Sequence, residues 1–428
     1  MNKLVRWIAL AVWPVLMAPA AQAFEPIRGQ YIVVLDEAAT GPIAQLADGL
    51  IATVGGGERL HVYDSALNGF AVKLPAIAAR ALARHPLVAR VEQDTVMQLN
   101  ATQFNVPSYG LDRVDQITGL DGHYDYPDAA GAGAHVYIID TGINSSHVDF
   151  AGRLGESRNF ASNGGGLLCT LLGIGCPAPE PDNVEDCNGH GTHVAGTAAG
   201  TEFGIAKSSI IHTVRVFSCA GTTATSTIIA GVDWVAANAI APAVANLSLG
   251  GGASQTLDDA VQGMIDAGVT AVVAAGNDNT DACSQSPARL PAAITVGSTT
   301  SSDARSSFSN FGSCVDLFAP GSNIVSASSS SDTGSATLSG TSMASPHVAG
   351  GVARFLSESP SATPADAAAA LVGAASSGLI SNPLRGWFRS DPRKILRDCC
   401  SAPAVQLTCR EEPHRCCSCP PMPWSYWN

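Results

Sequence analysis

Basic residues are scarce in this chain of 428 residues: Lys and Arg total 23 against 36 Asp and Glu, giving a formal net charge of −13. A phosphate backbone is bound by clustered Lys and Arg. No basic, aromatic-interleaved patch occurs in the body of the chain, so a nucleic-acid partner is not expected. Long apolar runs are missing as well. Beyond the N-terminus, Gly, Asn, Ser or a charged residue interrupts every apolar stretch short of the about 18 residues that a membrane span needs. Two catalytic signatures are also absent. His190 and His193 lie one residue too close for His-Glu-x-x-His, and the Glu is missing. His193 is therefore read as a structural residue on a helix rather than a zinc ligand. Ser342 sits in Gly-x-Ser-x-Ala, not the Gly-x-Ser-x-Gly of an α/β-hydrolase esterase.

What is present begins with a leader. Lys3 and Arg6 precede an apolar run over 7–17, and Ala21-Gln22-Ala23 supplies small residues for cleavage after Ala23. That is the pattern of a secretory signal peptide, and its apolar run is too short to anchor the chain in a bilayer. The mature protein is expected to be soluble and exported, with no membrane attachment. Twelve cysteines in an exported chain read as disulfides rather than reactive thiols.

Three segments carry the chemistry: Asp140-Thr141-Gly142, Asn188-Gly189-His190-Gly191-Thr192-His193, and Gly340-Thr341-Ser342-Met343-Ala344-Ser345-Pro346. Acyl transfer near neutral pH needs a nucleophile, a base to take its proton and a carboxylate to orient that base. Ser342, His190 and Asp140 supply one of each, in settings small enough for a substrate backbone to approach. Ser342 opens a helical segment, where the helix dipole and free amides favour developing negative charge. From residue 101 onward, apolar strands are expected over 135–140, 211–217, 244–249, 270–275 and 294–296. Helices are expected over 190–200, 226–238, 257–267 and 342–356. Such alternation predicts an α/β fold, a mainly parallel, doubly wound sheet with helices on both faces. Active residues collect at the strand C-terminal edge of such sheets. Residues 24–100 read differently, as a small α+β unit with strands over 31–35 and 69–74 and helices over 42–54 and 75–84.

Over about residues 24–375 the chain resembles the subtilisin-like serine proteases, most of all the proteinase K and aqualysin branch. The resemblance implies a secreted serine endopeptidase with signal peptide 1–23, an inhibitory and folding-assisting pro-domain 24–100, and a catalytic domain 101–382. The alternative for 24–100 is a domain retained in the mature protein. Ala101-Thr102-Gln103 followed by Tyr109-Gly110-Leu111-Asp112-Arg113 resembles a mature N-terminus of this branch, which puts self-cleavage near Asn100. Ala274-Ala275-Gly276-Asn277 matches the family segment whose Asn completes the oxyanion hole beside the Ser342 amide. Ser248-Leu249-Gly250 and Ala274-Ala275-Gly276 resemble the walls that pair with an extended substrate. Their small residues suggest a broad apolar pocket rather than a charged one.

The resemblance also implies structural calcium, held by Asp316 with the carbonyls of Pro291 and Ala293, a donor set of the kind calcium takes. Asp112, Asp115 and Gln116 resemble a further site; the alternative there is a solvated acidic loop. Cysteine spacings of 32 and 31 residues resemble the two bridges of the aqualysin branch, pairing Cys187 with Cys219 and Cys283 with Cys314. Cys169 and Cys176 share a Gly-rich inserted loop and are paired by proximity. The enzyme is expected to act as a monomer on protein and peptide substrates, with its own pro-domain as inhibitor. The competing functional readings are a degenerate subtilisin-like binding module, which a substituted catalytic position would favour, and a serine esterase. Residues 383–428, with Cys399, Cys400, Cys409, Cys416, Cys417 and Cys419, match nothing in the family. Two readings stay open for them, a disulfide-knotted appendage or the product of a shifted reading frame.

Overall fold

A computed structural model describes residues 26–95, 100–162 and 178–381. The signal segment, the Cys169 and Cys176 loop and the tail from residue 382 lie outside the described residues. The chain divides into two compact units, with the boundary between Met97 and Gln98.

The first unit runs β1 (Pro26–Leu35), α1 (Ile43–Thr53), β2 (Glu58–Tyr63), β3 (Gly69–Lys73), α2 (Ala76–Leu82) and β4 (Val88–Thr95). Its four strands form an antiparallel sheet in the order β2-β3-β1-β4. Alternate residues Val33 and Leu35 of β1 and Phe70 and Val72 of β3 point to one face. Against them pack Ile43, Ala47, Leu50 and Ile51, which share one stripe of α1 at helical spacing. The sequence reading found both helices and the two inner strands. It missed β2 and β4, which border the sheet and mix polar with apolar residues; β2 buries no side chain fully, and β4 contributes Val88 to the core with Val91 packed against it.

The second unit is built on a seven-stranded parallel sheet in the order β15-β14-β12-β10-β7-β9-β8. Its strands are β7 (His135–Asp140), β8 (Arg158–Asn159), β9 (Ile210–Arg215), β10 (Ala243–Leu247), β12 (Val269–Ala274), β14 (Ile294–Thr299) and β15 (Leu317–Pro320). Short antiparallel pairs flank it: β5 (Asn100–Phe104) with β6 (His123–Pro127), β11 (Gly251–Gly252) with β13 (Gln285–Ser286), and β16 (Ile324–Ala327) with β17 (Ser335–Leu338). The helices are α3 (Tyr109–Val114), α4 (His190–Ala199), α5 (Thr225–Asn238), α6 (Gln255–Asp266), α7 (Thr341–Glu358) and α8 (Pro364–Ala374).

Both faces of the sheet are buried. Val136 and Ile138 of β7, Val244 of β10 and Val272 of β12 face Val194 and Ala198 of α4 and Val348 and Val352 of α7. Their neighbours Tyr137, Ile139, Ala245 and Val273 face Val232 and Val235 of α5 and Val261 and Met264 of α6. With each buried Val or Ile contributing about 1.5–3 kcal/mol, this double burial explains why the strands read as unbroken apolar runs.

Two histidines are sealed into this core. His193 on α4 is fully buried with Nε2 3.0 Å from the Ile324 carbonyl, and His347 on α7 is buried with Nδ1 2.8 Å from the Met343 carbonyl. Burial pushes both imidazoles down to about 4. They stay neutral in the fold while the unfolded chain takes up protons near the ordinary value of about 6.5. The stability they contribute is present above that value and is lost as pH falls toward 4. Urea unfolding of the Ser342→Ala protein, chosen to avoid self-digestion, should show a midpoint that drops steadily between pH 7 and 4. A drop that His347→Gln leaves unaltered would contradict this assignment.

Candidate active site

The second unit brings its chemistry to the C-terminal edge of the parallel strands. β7 ends on Asp140, β10 runs into Ser248-Leu249-Gly250, β12 runs into Ala275-Gly276-Asn277, and α4 and α7 begin at His190 and Thr341. β7, β10 and β12 are successive neighbours, so their ends lie side by side.

Asp140 is 1 % exposed, and its Oδ1 accepts from the Thr141 amide at 2.7 Å and lies 2.7 Å from His190 Nδ1. His190 keeps 29 % of its side chain exposed, enough for a substrate to reach the ring. Burial opposes the charged imidazolium, yet the charge and hydrogen bond of Asp140, with the charge of Asp186, outweigh it and hold His190 above its ordinary value. Gly189 sets up this approach. It enters α4 at φ +104°, in the left-handed region that glycine adopts without strain.

Ser342 is the second residue of α7. Four residues on, Pro346 has no N–H to give the Ser342 carbonyl, and Ser248 Oγ donates to that carbonyl instead at 2.8 Å. The Ser342 hydroxyl in turn donates to the Ser248 carbonyl at 3.2 Å. Asn277 spends its Oδ1 on the Thr341 amide and hydroxyl, at 2.8 and 3.0 Å. This fixes the amide group so that its Nδ2 is the end left to face outward. A methyl built on Gly340 would stand 3.6 Å from both Asn277 Nδ2 and the Ser342 amide nitrogen, so the Asn277 amide group and the Ser342 amide lie close together. Gly276 must be glycine: φ is +100°, and a Cβ would come within 2.2 Å of Gln285 Oε1 and 2.4 Å of Asn310 Nδ2.

Asp140, His190, Asn277 and Ser342 line one cleft of about 530 Å³, together with Ser248, Leu249, Gly250, Ala274 and Gly276. Ala275 does not line it. Its amide donates to the Val296 carbonyl and its own carbonyl accepts from Asn310 Nδ2. Asp278 also lines the cleft, with a carboxylate that accepts from Gln285 Nε2. Asp278 did not figure in the sequence reading.

Nor did Asp186 figure in that reading. This buried carboxylate accepts from Thr141 Oγ1, from the amides of Asn188, Gly189 and Thr192, and from Thr192 Oγ1. Burial works against its charge, but these donors outweigh burial and hold Asp186 below the usual carboxylate range. The available clue was an acidic residue just ahead of a helix start that lacks a capping side chain of its own.

Two disulfides brace the edge. Cys187–Cys219 and Cys283–Cys314 have Cα separations of 5.0 and 5.3 Å. The first ties the approach to His190 to the loop after β9, where Asn188 Nδ2 also donates to the Cys219 carbonyl at 3.1 Å.

Among the described residues no group of three or more His, Cys, Asp or Glu is arranged around a metal position. The local chemistry still differs between the two expected cation sites. Asp316 Oδ2 accepts from the Thr295 amide at 2.9 Å. The Asp112 oxygens accept from the amides of Asp121 and Gly122, while Gln116 gives its backbone carbonyl to Arg113. Asp115 Oδ2 accepts from the Asp125 amide, but its Oδ1 is buried without a hydrogen-bond partner. Burial first, then the charges of Asp125 and Asp121, push Asp115 up to about 7. A buried, unsatisfied carboxylate oxygen among further carboxylates is chemistry that fits a hard cation.

Compared with known proteins, residues 131–387 match the subtilase family of peptidases, and residues 30–100 match the peptidase inhibitor I9 family. The chain is 47 % identical over 380 residues to an extracellular serine proteinase of Thermus sp. (strain Rt41A), covering 84 % of this chain and 88 % of that protein. It is 47 % identical over 328 residues to alkaline serine exoprotease A of Vibrio alginolyticus, covering 75 % of this chain and 58 % of that protein. The crystal structure of a cold adapted subtilisin-like serine proteinase aligns with a TM-score of 0.60 at 49 % identity, over 69 % of this chain and 98 % of that one. A chain with this sheet, this cleft and these matches belongs to the subtilase family.

Proposed function

We propose that the protein is a secreted serine endopeptidase in which Asp140, His190 and Ser342 act as the catalytic triad. The observation that carries this reading is the 2.7 Å contact between His190 Nδ1 and Asp140, in the cleft that also holds Ser342 and Asn277. With the Ser342 hydroxyl turned from the Ser248 carbonyl toward His190, Nε2 takes its proton as Oγ attacks the scissile carbonyl. Asn277 Nδ2 and the Ser342 amide donate to the resulting oxyanion. His190 then gives the proton to the departing amine, leaving an acyl-enzyme. Water, deprotonated by the same imidazole, attacks that ester and regenerates Ser342.

The strand ends at 248–250 and 274–276 are proposed to hold an extended substrate between them, with a preference for apolar side chains. The relatives' names support export, and the described residues contain no helix long and apolar enough to cross a membrane. The I9 match supports a pro-domain over 24–100 that acts as the enzyme's own inhibitor, and the proposed precursor adds a signal 1–23, a catalytic domain 101–382 and a further segment 383–428. Cleavage is placed near Asn100, which begins β5. The mature enzyme is proposed to work as a monomer, without nucleic acid. Calcium would be held by Asp115 with Asp112 and Gln116, and by Asp316 with the carbonyls of Pro291 and Ala293. Its contribution would be to neutralise buried carboxylates and rigidify loops.

The direct test is Ser342→Ala. That protein should neither hydrolyse casein nor release its N-terminal segment, whereas release in a purified preparation would refute self-processing. Asn277→Ala should lower kcat by roughly 10²–10³ with KM nearly unchanged; a loss confined to KM would remove Asn277 from the oxyanion site. Chelator should lower the melting temperature of the mature enzyme more than its initial kcat. Elemental analysis finding no calcium, with an unshifted melting curve, would refute the cation sites.

A further inference from the structure

Resting on the triad reading, one residue outside the triad stands out. Asp186 makes five hydrogen bonds from a buried position, and they converge on the two segments that must meet for His190 to work. Thr141 is the link. Its amide donates to Asp140 Oδ1, its hydroxyl donates to Asp186 Oδ1 at 2.9 Å, and the same hydroxyl accepts from the Gly191 amide at 2.8 Å. On the other side, Gly189 at the start of α4 has no side chain to cap the helix. Asp186 takes its place by accepting from Gly189 and Thr192, so the turn carrying His190 hangs from this carboxylate. A negative charge at a helix N-terminus is also favoured by the helix dipole.

A buried Asp that only capped a helix would affect stability alone. Here the charge also reaches the imidazole, since Asp186 is, with Asp140, one of the two carboxylates that favour the charged form of His190. The other ionisable groups nearby are His193 on the same helix, Arg215 at the end of β9 and Glu185 in the segment leading into α4. The Arg215 guanidinium sits beside Asp186 and donates to the Glu185 carbonyl and Cys187 Sγ.

We propose that Asp186 is a positioning residue for peptide hydrolysis: through Thr141 it fixes the first turn of α4 against the end of β7, and its charge stabilises the imidazolium formed when Ser342 gives up its proton. A misplacement of about 1 Å in such a constellation costs up to about 10²-fold in rate.

The test uses the processed enzyme, with active sites counted by a covalent serine-directed inhibitor. Asp186→Asn should lower kcat per titrated site about tenfold or more, with KM within about twofold. It should also shift the acid limb of kcat/KM to lower pH, because one of the two carboxylates favouring the imidazolium is gone. Thr141→Ser, which keeps the hydroxyl, should retain turnover, and Thr141→Val should lose it. An acid limb identical to wild type in Asp186→Asn, or a loss that vanishes once sites are counted, would overturn the proposal. If Asp186→Asn yields no folded enzyme, equal turnover of Thr141→Val and Thr141→Ser overturns it instead. Residual hydrolysis by Ser342→Ala in the same assay would sink the triad reading itself, whatever Asp186→Asn does.

Discussion

Everything at the strand edge depends on one contact, the hydrogen bond of 2.7 Å between Asp140 and His190. A carboxylate 1 % exposed is costly to keep charged unless donors and an opposing charge meet it. Asp140 ends β7, where it pairs with Arg215 of β9 and its carbonyl accepts from the Val216 amide, so its backbone is fixed at the sheet edge. His190 must therefore come to it. The fold delivers His190 on a helix whose buried residues pack on the sheet and whose first turn is held by Asp186. The imidazole's basicity follows from the same arrangement, because the groups that orient it are the groups that favour its charge.

The nucleophile is fixed by a different device. A proline one turn into α7 leaves the Ser342 carbonyl without an intrahelical donor, and Ser248 fills that position from the end of β10. Asn277 is pinned to Thr341 through its oxygen, so its nitrogen faces the same space as the Ser342 amide. A helix start, a strand end and a loop amide are thus locked together by backbone groups that regular secondary structure leaves unsatisfied. Preorganised donors of this kind lose nothing to reorganisation when charge develops on a substrate.

Much of this was legible in the sequence. The mainly apolar runs at 135–140, 244–249 and 270–275 mark strands buried on both faces, and they lie within two residues of β7, β10 and β12 at either end. Gly189 and Gly340 mark the starts of α4 and α7 because glycine stands where the chain turns into each helix. Less visible were the sheet-edge strands β2 and β4 and the short β15 to β17, whose side chains are too few or too polar to show a period. Asp186 was hidden for another reason. Its role arises from five donors scattered over residues 141–192, a convergence that only the folded chain displays. Asp278 likewise becomes a feature of the cleft only once β12 and the Gln285 segment lie together.

The most direct measurement is the site and rate of covalent labelling by a sulfonyl fluoride, read by mass spectrometry of the digested protein. The account predicts one adduct per active chain, on the peptide containing Ser342, formed far more slowly in Asp140→Asn. A label on a different serine, or an undiminished labelling rate without the Asp140 charge, would contradict it.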